Sequence, residues 1–336
     1  MQLPPLAATT VGSFPRPSWL AAVDRGAAKF HLEGDSLRES QDDATIVTIH
    51  DQEEAGLDLL TDGEQRRPNF ITHVIGCWDG IDLAGLRLKR EFRRRAQERM
   101  LPRVMGRVKR RTPAAVADVH FAKSCTSRPI KMAVPGPMTV VDSTVDEAYG
   151  DEEALAIDVA AALNAELLDL QAAGCDVLQI DEPAMTRYHE KVAAYGARAL
   201  DRCLDGVNIP TIVHLCYGYP GGQSLQHEFE YPELLNLLLK TRIGGFAVEF
   251  GRSNYNPAVL EVCKDRLVMF GCVDPGDAPV PPVEAVASRV RGALKYLDAA
   301  KVWLAPDCGL MTTSRENARA KARLLVEVAQ EIRQSL

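Results

Sequence analysis

Short apolar runs recur along the chain, most of them followed by a polar or glycine-containing turn and then by a longer amphipathic stretch. Eight are legible: Ala7 to Phe14, Leu57 to Glu64, Lys131 to Met138, Cys175 to Pro183, Ile209 to Tyr217, Gly245 to Gly251, Leu267 to Asp274 and Val302 to Cys308. The stretches between them place apolar residues at three and four spacing, as in Glu152 to Ala173, the period of a helix with one buried face. Eight strands alternating with helices predict an α/β chain folded as a TIM (β/α)8 barrel. The polar residues fit that architecture. Ser13, Asp62, Glu64, Asp181, Glu182, His214, Cys216, Glu249, Asp274, Asp307 and Cys308 all fall at the C-terminal ends of their strands, the face on which barrels build active sites. A doubly wound open sheet is the alternative, but no Gly-x-Gly-x-x-Gly turn follows the first strand.

One segment interrupts the alternation. Between Arg87 and Arg111 stand twelve Arg or Lys against two acidic residues, inside an excursion between strands two and three that spans residues 72–128. Its plain reading is a solvated charged face, and its functional reading is a dock for an anionic ligand tail or an acidic partner. No repeat or low-complexity linker divides the remainder, so one domain over 1–336 is expected, with the excursion inserted in it. At 336 residues and 46% apolar content the chain can bury a full core. A net charge of -7 argues against general binding to nucleic acid or a membrane surface. The N-terminus has no basic segment leading into an apolar one, and no run approaches the length of a membrane span. A cytoplasmic protein is expected. Eight cysteines in a chain this long do not form the dense framework of a small secreted domain; they are expected to be reduced and open to a metal.

Two of these cysteines have informative neighbours. His214 and Cys216 stand in Thr211-Ile-Val-His-Leu-Cys-Tyr-Gly218, and on an extended segment residues two apart point to one side, so an imidazole and a thiolate can reach one ion together. Cys308, in Leu304-Ala-Pro-Asp-Cys-Gly-Leu310, joins them only if its strand meets theirs in a sheet or barrel. Glu249, in Gly245-Phe-Ala-Val-Glu-Phe-Gly251, offers an oxygen ligand from a third strand. Two thiolates, an imidazole and an exchangeable carboxylate suit zinc and the activation of a substrate thiol. The plain alternative is that intracellular cysteines are mostly small buried apolar residues, and the His-x-Cys spacing alone does not choose.

The segments Thr9-Thr-Val-Gly-Ser-Phe-Pro-Arg-Pro17, Thr61-Asp-Gly-Glu-Gln65, Pro135-Gly-Pro-Met-Thr139, Gln179-Ile-Asp-Glu-Pro-Ala184, His214-Leu-Cys-Tyr-Gly218 and Pro306-Asp-Cys-Gly-Leu310 stand in order along the chain. Together they resemble the catalytic domain of cobalamin-independent methionine synthase, over nearly the whole length, in what looks like its short, single-barrel type. The resemblance implies a TIM barrel, a zinc ion held by His214, Cys216, Glu249 and Cys308, and methyl transfer to the sulfur of homocysteine. It further implies that the turn Val11-Gly12-Ser13 meets the substrate carboxylate, while Glu64 and Asp181 meet its ammonium. Taken singly, Gly12 reads as loop punctuation and Asp181-Glu-Pro183 as a helix cap.

The chain departs from the family on the donor side. Full-length members carry a histidine after strand seven, in Asp-x-His, which assists release of the folate; here the stretch reads Gly271-Cys-Val-Asp-Pro-Gly-Asp-Ala-Pro279. The tryptophan that stacks on the pterin is also missing from Pro137-Met-Thr-Val-Val-Asp-Ser-Thr144. Transfer from methyltetrahydrofolate needs a proton on the leaving nitrogen, for which Asp274 and Asp277 are the nearby candidates. A methylated corrinoid or its carrier protein is the other donor to consider. Three further readings remain at this level: an alkyltransferase acting on another thiol such as coenzyme M, a barrel whose zinc is structural and whose basic segment binds a partner, and a metal-free decarboxylase-like barrel.

Overall fold

The computed structural model describes residues 3–24, 27–91, 97–217, 231–253 and 255–336. Seven parallel strands form one sheet, in spatial order Ala7–Ala8, Val302–Pro306, Leu267–Val273, Gly245–Glu249, Thr211–His214, Val177–Asp181 and Lys131–Pro135. The space between the first and the last is filled by residues 59–60, through parallel bridges from Thr9 to Leu59 and from Leu60 to Ile130. That closes the barrel. Each of the eight apolar runs supplies one strand, but every ladder is shorter than its run. The C-terminal residues of the runs leave the sheet to build the mouth. In the first, Thr10 Oγ1 meets Thr61 Oγ1 at 3.3 Å and the Phe14 N–H donates to the Gly63 carbonyl at 3.0 Å.

Alternation along the strands sorts side chains into two cores. Ala7, Val11, Leu59, Val177, Ile212, Ala247, Met269, Trp303 and Ala305 form a cluster of their own, the filling of the barrel. Their neighbours in sequence, such as Ala8, Leu60, Leu178, Val213, Val248 and Leu304, belong to the larger core between strands and helices. Helix Glu152–Ala172, whose range matches the predicted one, starts where the Asp151 side chain accepts from the N–H groups of Glu153 and Ala154. It buries Leu155, Val159, Leu163, Leu167 and Leu170. The last helix, Arg315–Arg333, is capped by Ser314 in the same manner and buries Leu325, Val328 and Ile332. Among the described residues, no helix is long and apolar enough to cross a membrane.

The basic excursion is a long antiparallel hairpin, Trp78–Glu91 with Gln97–Arg110, extended by a short parallel contact with Val145–Asp146. Residues 92–96, three of them Arg, lie outside the described residues. The hairpin stands between helices Phe70–Ile75 and Val116–Cys125. Most of its described cations have partners within the fold, which the block of like charge in the sequence did not reveal. Arg87 pairs with Glu147 at 3.1 Å, Arg103 with Asp82 and Glu147, Arg107 with Asp158 at 3.2 Å and Arg111 with Asp79 at 3.3 Å. Arg110 pairs with Glu166 and Asp169, each at 2.7 Å. Lys89 reaches over the barrel to the carbonyls of Val141, Asp142 and Thr144 at 2.7–3.1 Å, at the C-terminal end of helix Pro137–Asp142, where a cation suits the orphan carbonyls and the helix dipole. A second hairpin, Ala21–Asp24 with Ala27–Phe30, precedes the first long helix and has no counterpart in the sequence reading.

Candidate active site

The ends of strands five, six and eight bring four side chains to one point. Nitrogen, sulfur or oxygen ligand atoms of His214, Cys216, Glu249 and Cys308 all lie within 4.8 Å of one another. Cys216 Sγ is 3.4 Å from Cys308 Sγ, and His214 Nε2 is 3.7 Å from Glu249 Oε1. Ligands around a tetrahedral zinc, with bonds of 2.0–2.3 Å, stand about 3.3–3.8 Å apart, so these two edges match the donor cage. The sulfurs are too far apart for a disulfide, and all eight cysteines are free. The other six do not join the cluster. Burial pushes the thiols of Cys175, Cys263 and Cys272 up to about 12, which makes them inert packing groups.

Second contacts orient the ligands. His214 Nδ1 meets Asp181 Oδ1 at 3.3 Å, which leaves Nε2 on the side of Glu249 and of the Asp307 carbonyl, 3.2 Å away. A carboxylate behind a ligating histidine fixes its ring and raises its basicity. Burial works against an imidazolium at His214, yet its hydrogen bonds to Asp181 and Glu249 carry its pKa well above 6.5. The Glu249 backbone N–H donates to Tyr231 Oη at 3.0 Å, and its Oε2 accepts from the Tyr217 N–H at 3.3 Å. Asp307, the residue before Cys308, accepts from the N–H groups of Phe250, Gly251 and Arg252 at 2.6–3.1 Å. Burial first, then the Glu249 charge, pushes its carboxyl up to about 7, with the three N–H groups opposing. In the sequence Asp307 is only a strand-end polar residue; in the fold it ties the end of strand eight to the segment after strand six.

A second group of residues lies against the first. The turn 11–13 is clamped between two other loops: Thr61 Oγ1 donates to the Gly12 carbonyl at 2.8 Å, and the Leu310 N–H donates to the Ser13 carbonyl at 2.8 Å. The second contact places Ser13 directly beside the Cys308 loop. A Cβ on Gly12 would lie 2.8 Å from Glu64 Oε1, so only glycine lets that carboxylate rest on the turn. Glu64 itself has φ 57°, in the left-handed region that is costly for a non-glycine residue. Burial raises its pKa, with Arg67 3.8 Å away opposing. Val11, Gly12, Ser13, Glu64 and Asp181 therefore line one rim, with Asp181 shared with His214. The two strand-seven carboxylates are engaged elsewhere. Asp274 pairs with Arg252 at 2.7 Å and accepts from the Gly276 N–H, whereas the exposed Asp277 accepts from Thr313 Oγ1 at 2.7 Å and from the Ser314 N–H.

A closed barrel with two thiols, an imidazole and a carboxylate converging at its C-terminal mouth has the donor set of a metal site where barrel enzymes build their active sites. The model of the cobalamin-independent synthase catalytic domain matches residues 6–331. Methionine synthase from Saccharolobus solfataricus is 31% identical over 100% of this chain and 97% of its own length, and that from Sulfurisphaera tokodaii is 30% identical over 100% and 95%. The solved structure of a B12-independent methionine synthase from Shewanella sp. W3-18-1, in complex with selenomethionine, superposes with a TM-score of 0.93, 34% identity and 98% coverage of both chains. The chain belongs to the cobalamin-independent synthase family, and it is a methyltransferase of the methionine synthase type. A B12-independent methionine synthase from Listeria monocytogenes, described as putative, shares the fold at 20% identity and a TM-score of 0.77 over 99% of both chains.

Proposed function

We propose that the chain methylates the thiol of homocysteine to give methionine, using a zinc ion held by His214, Cys216, Glu249 and Cys308. The observation that carries this reading is the convergence of those four ligand atoms within 4.8 Å, beside a rim of complementary charge. A zinc ion held by these four residues would supply Lewis acidity that favours the thiolate form of a substrate thiol at neutral pH. The chain's own residues do the rest. The N–H groups of the Val11-Gly12-Ser13 turn and the Ser13 hydroxyl receive the carboxylate, and Glu64 and Asp181 receive the ammonium. A relative was solved in complex with selenomethionine, an amino acid of the same shape as the product, which supports an amino-acid ligand. We further read residues 1–336 as one domain with 72–128 inserted, working in a reducing cytoplasm that keeps both cysteines as thiols.

Zinc-edge X-ray absorption with and without homocysteine tests the site. A gain of sulfur and loss of oxygen around the metal is the expected result, and an unchanged shell would make the zinc structural. Coenzyme M, which has no ammonium for Glu64 and Asp181, is expected to bring the same change only at a much higher concentration than homocysteine. A complementary variant is Gly309→Ala. A Cβ there would fall on Ser13 Oγ, so homocysteine affinity measured by calorimetry should drop about tenfold, the worth of one or two charged hydrogen bonds, while zinc content stays the same. Unchanged affinity would remove Ser13 from the pocket.

For the donor, methionine formation is assayed with methyltetrahydrofolate and with methylcobalamin in parallel. We propose the strand-seven carboxylates as the proton source for a folate donor, with half-buried Asp274 the stronger candidate and exposed Asp277 the weaker. Asp274→Asn should then cut folate-dependent turnover about 100-fold, the usual worth of general acid catalysis, and leave corrinoid-dependent turnover intact. Equal losses with both donors would take Asp274 out of the chemistry.

A further inference from the structure

A polar side chain inside a closed barrel is costly unless it is hydrogen-bonded, and Lys131 is the extreme case in this one. Its strand pairs it with Val177, a member of the barrel filling, so its side chain shares that inner face. It is completely buried. The ammonium donates to the Val11 carbonyl at 2.6 Å and to Oε1 of Gln179. Gln179 passes the contact on, its amide nitrogen donating to Asp181 Oδ1 at 2.7 Å. Burial pulls the ammonium down to about 7, against the attraction of Asp181, Glu64, Cys175 and Asp62. An apolar side chain of similar length would fill the space without a desolvated charge, so packing does not explain the lysine.

We propose that Lys131 is a positioning residue that fixes the spacing of the amino-acid pocket. One ammonium anchors the carbonyl that opens the 11–13 turn and, through Gln179, the carboxylate of Asp181. The carboxylate-receiving end and the ammonium-receiving end are thereby held to a common point beneath them. The inference rests on the pocket assigned above. It predicts selectivity, since a thiol with an amino-acid head needs Lys131 and a thiol without one does not.

Calorimetry on the zinc-loaded protein, with homocysteine and with propanethiol as probes, tests it. In Lys131→Met the homocysteine Kd should rise at least about tenfold, as for loss of hydrogen bonds to a charged group, with propanethiol affinity and zinc stoichiometry unchanged. Gln179→Leu, which frees Asp181 but keeps the lysine on Val11, should show the same selective loss to a smaller degree. Should Lys131→Met fail to fold, Gln179→Leu decides on the same criterion. Wild-type homocysteine affinity in the variants, or equal loss of both ligands, would overturn the proposal. A wild-type protein that binds propanethiol but not homocysteine would instead overturn the pocket reading, and this inference with it.

Discussion

Cys308→Ser is expected to abolish methyl transfer without unfolding the barrel. Serine keeps the volume but replaces a thiolate by a hydroxyl that stays protonated at neutral pH, leaving three ligands where a stable zinc site has four. Changes one shell further out already cost 10–100-fold in metal affinity, so loss of a ligand should bring zinc well below one per chain and turnover down by at least about 10³-fold. Cys308 is only partly buried, and its sulfur lies 3.4 Å from that of Cys216. The metal-free variant should therefore melt within a few degrees of metal-free wild type. The comparison must be apo against apo, because bound zinc adds stability by mass action. Atomic absorption, turnover and thermal melting read the three quantities. A zinc-depleted variant with wild-type turnover would end the metal reading.

The barrel was legible because a strand covered on both faces must be an uninterrupted apolar run, and eight such runs had helices between them. The convergence of His214, Cys216, Glu249 and Cys308 was legible because all four sit at strand ends, where only barrel closure is needed to bring Cys308 to Cys216. What escaped is instructive. Lys131 and Gln179 each break an apolar strand, and a polar residue there is a signal: in a barrel it must face either the packed interior or the helices. The hairpin also had a signal, the alternation of Leu86, Leu88 and their basic neighbours, a strand period masked by the charge count. Its ion pairs had none. Arg110 finds Glu166 56 residues away, and no local pattern encodes such a contact.

The donor side follows from the same geometry. The sulfur side of the mouth is built from contacts that cross between strands: Asp181 to His214, Asp307 to three N–H groups after strand six, and Leu310 to Ser13. Asp274 likewise reaches across to Arg252 after strand six, and Asp277 to Thr313 and Ser314 after strand eight.

Glu166→Ala is expected to cause the largest loss of stability outside the site. The carboxylate is fully buried in helix Glu152–Ala172 and accepts four bonds: from Arg110 Nε at 2.7 Å, from the Ala114 N–H at 3.0 Å and 3.1 Å, and from the Ala115 N–H at 2.8 Å. It thus pins the returning strand of the hairpin and the entry to helix Val116–Cys125 onto the barrel. Alanine leaves the buried Ala115 N–H, the half-buried Ala114 N–H and a guanidinium whose other partner, Asp169, is half exposed. Breaking a buried pair from one side costs about 3–5 kcal/mol, which in a chain of this size lowers Tm by roughly 4–7 °C on the usual entropy per residue. Zinc content and homocysteine affinity at 25 °C should not change, since none of these residues touches the mouth. Differential scanning calorimetry decides, and a shift under about 1 °C would show that solvent replaces the lost acceptor. The double variant Glu166→Leu with Arg110→Leu should recover part of the loss, because two apolar side chains remove the stranded charge along with its partner.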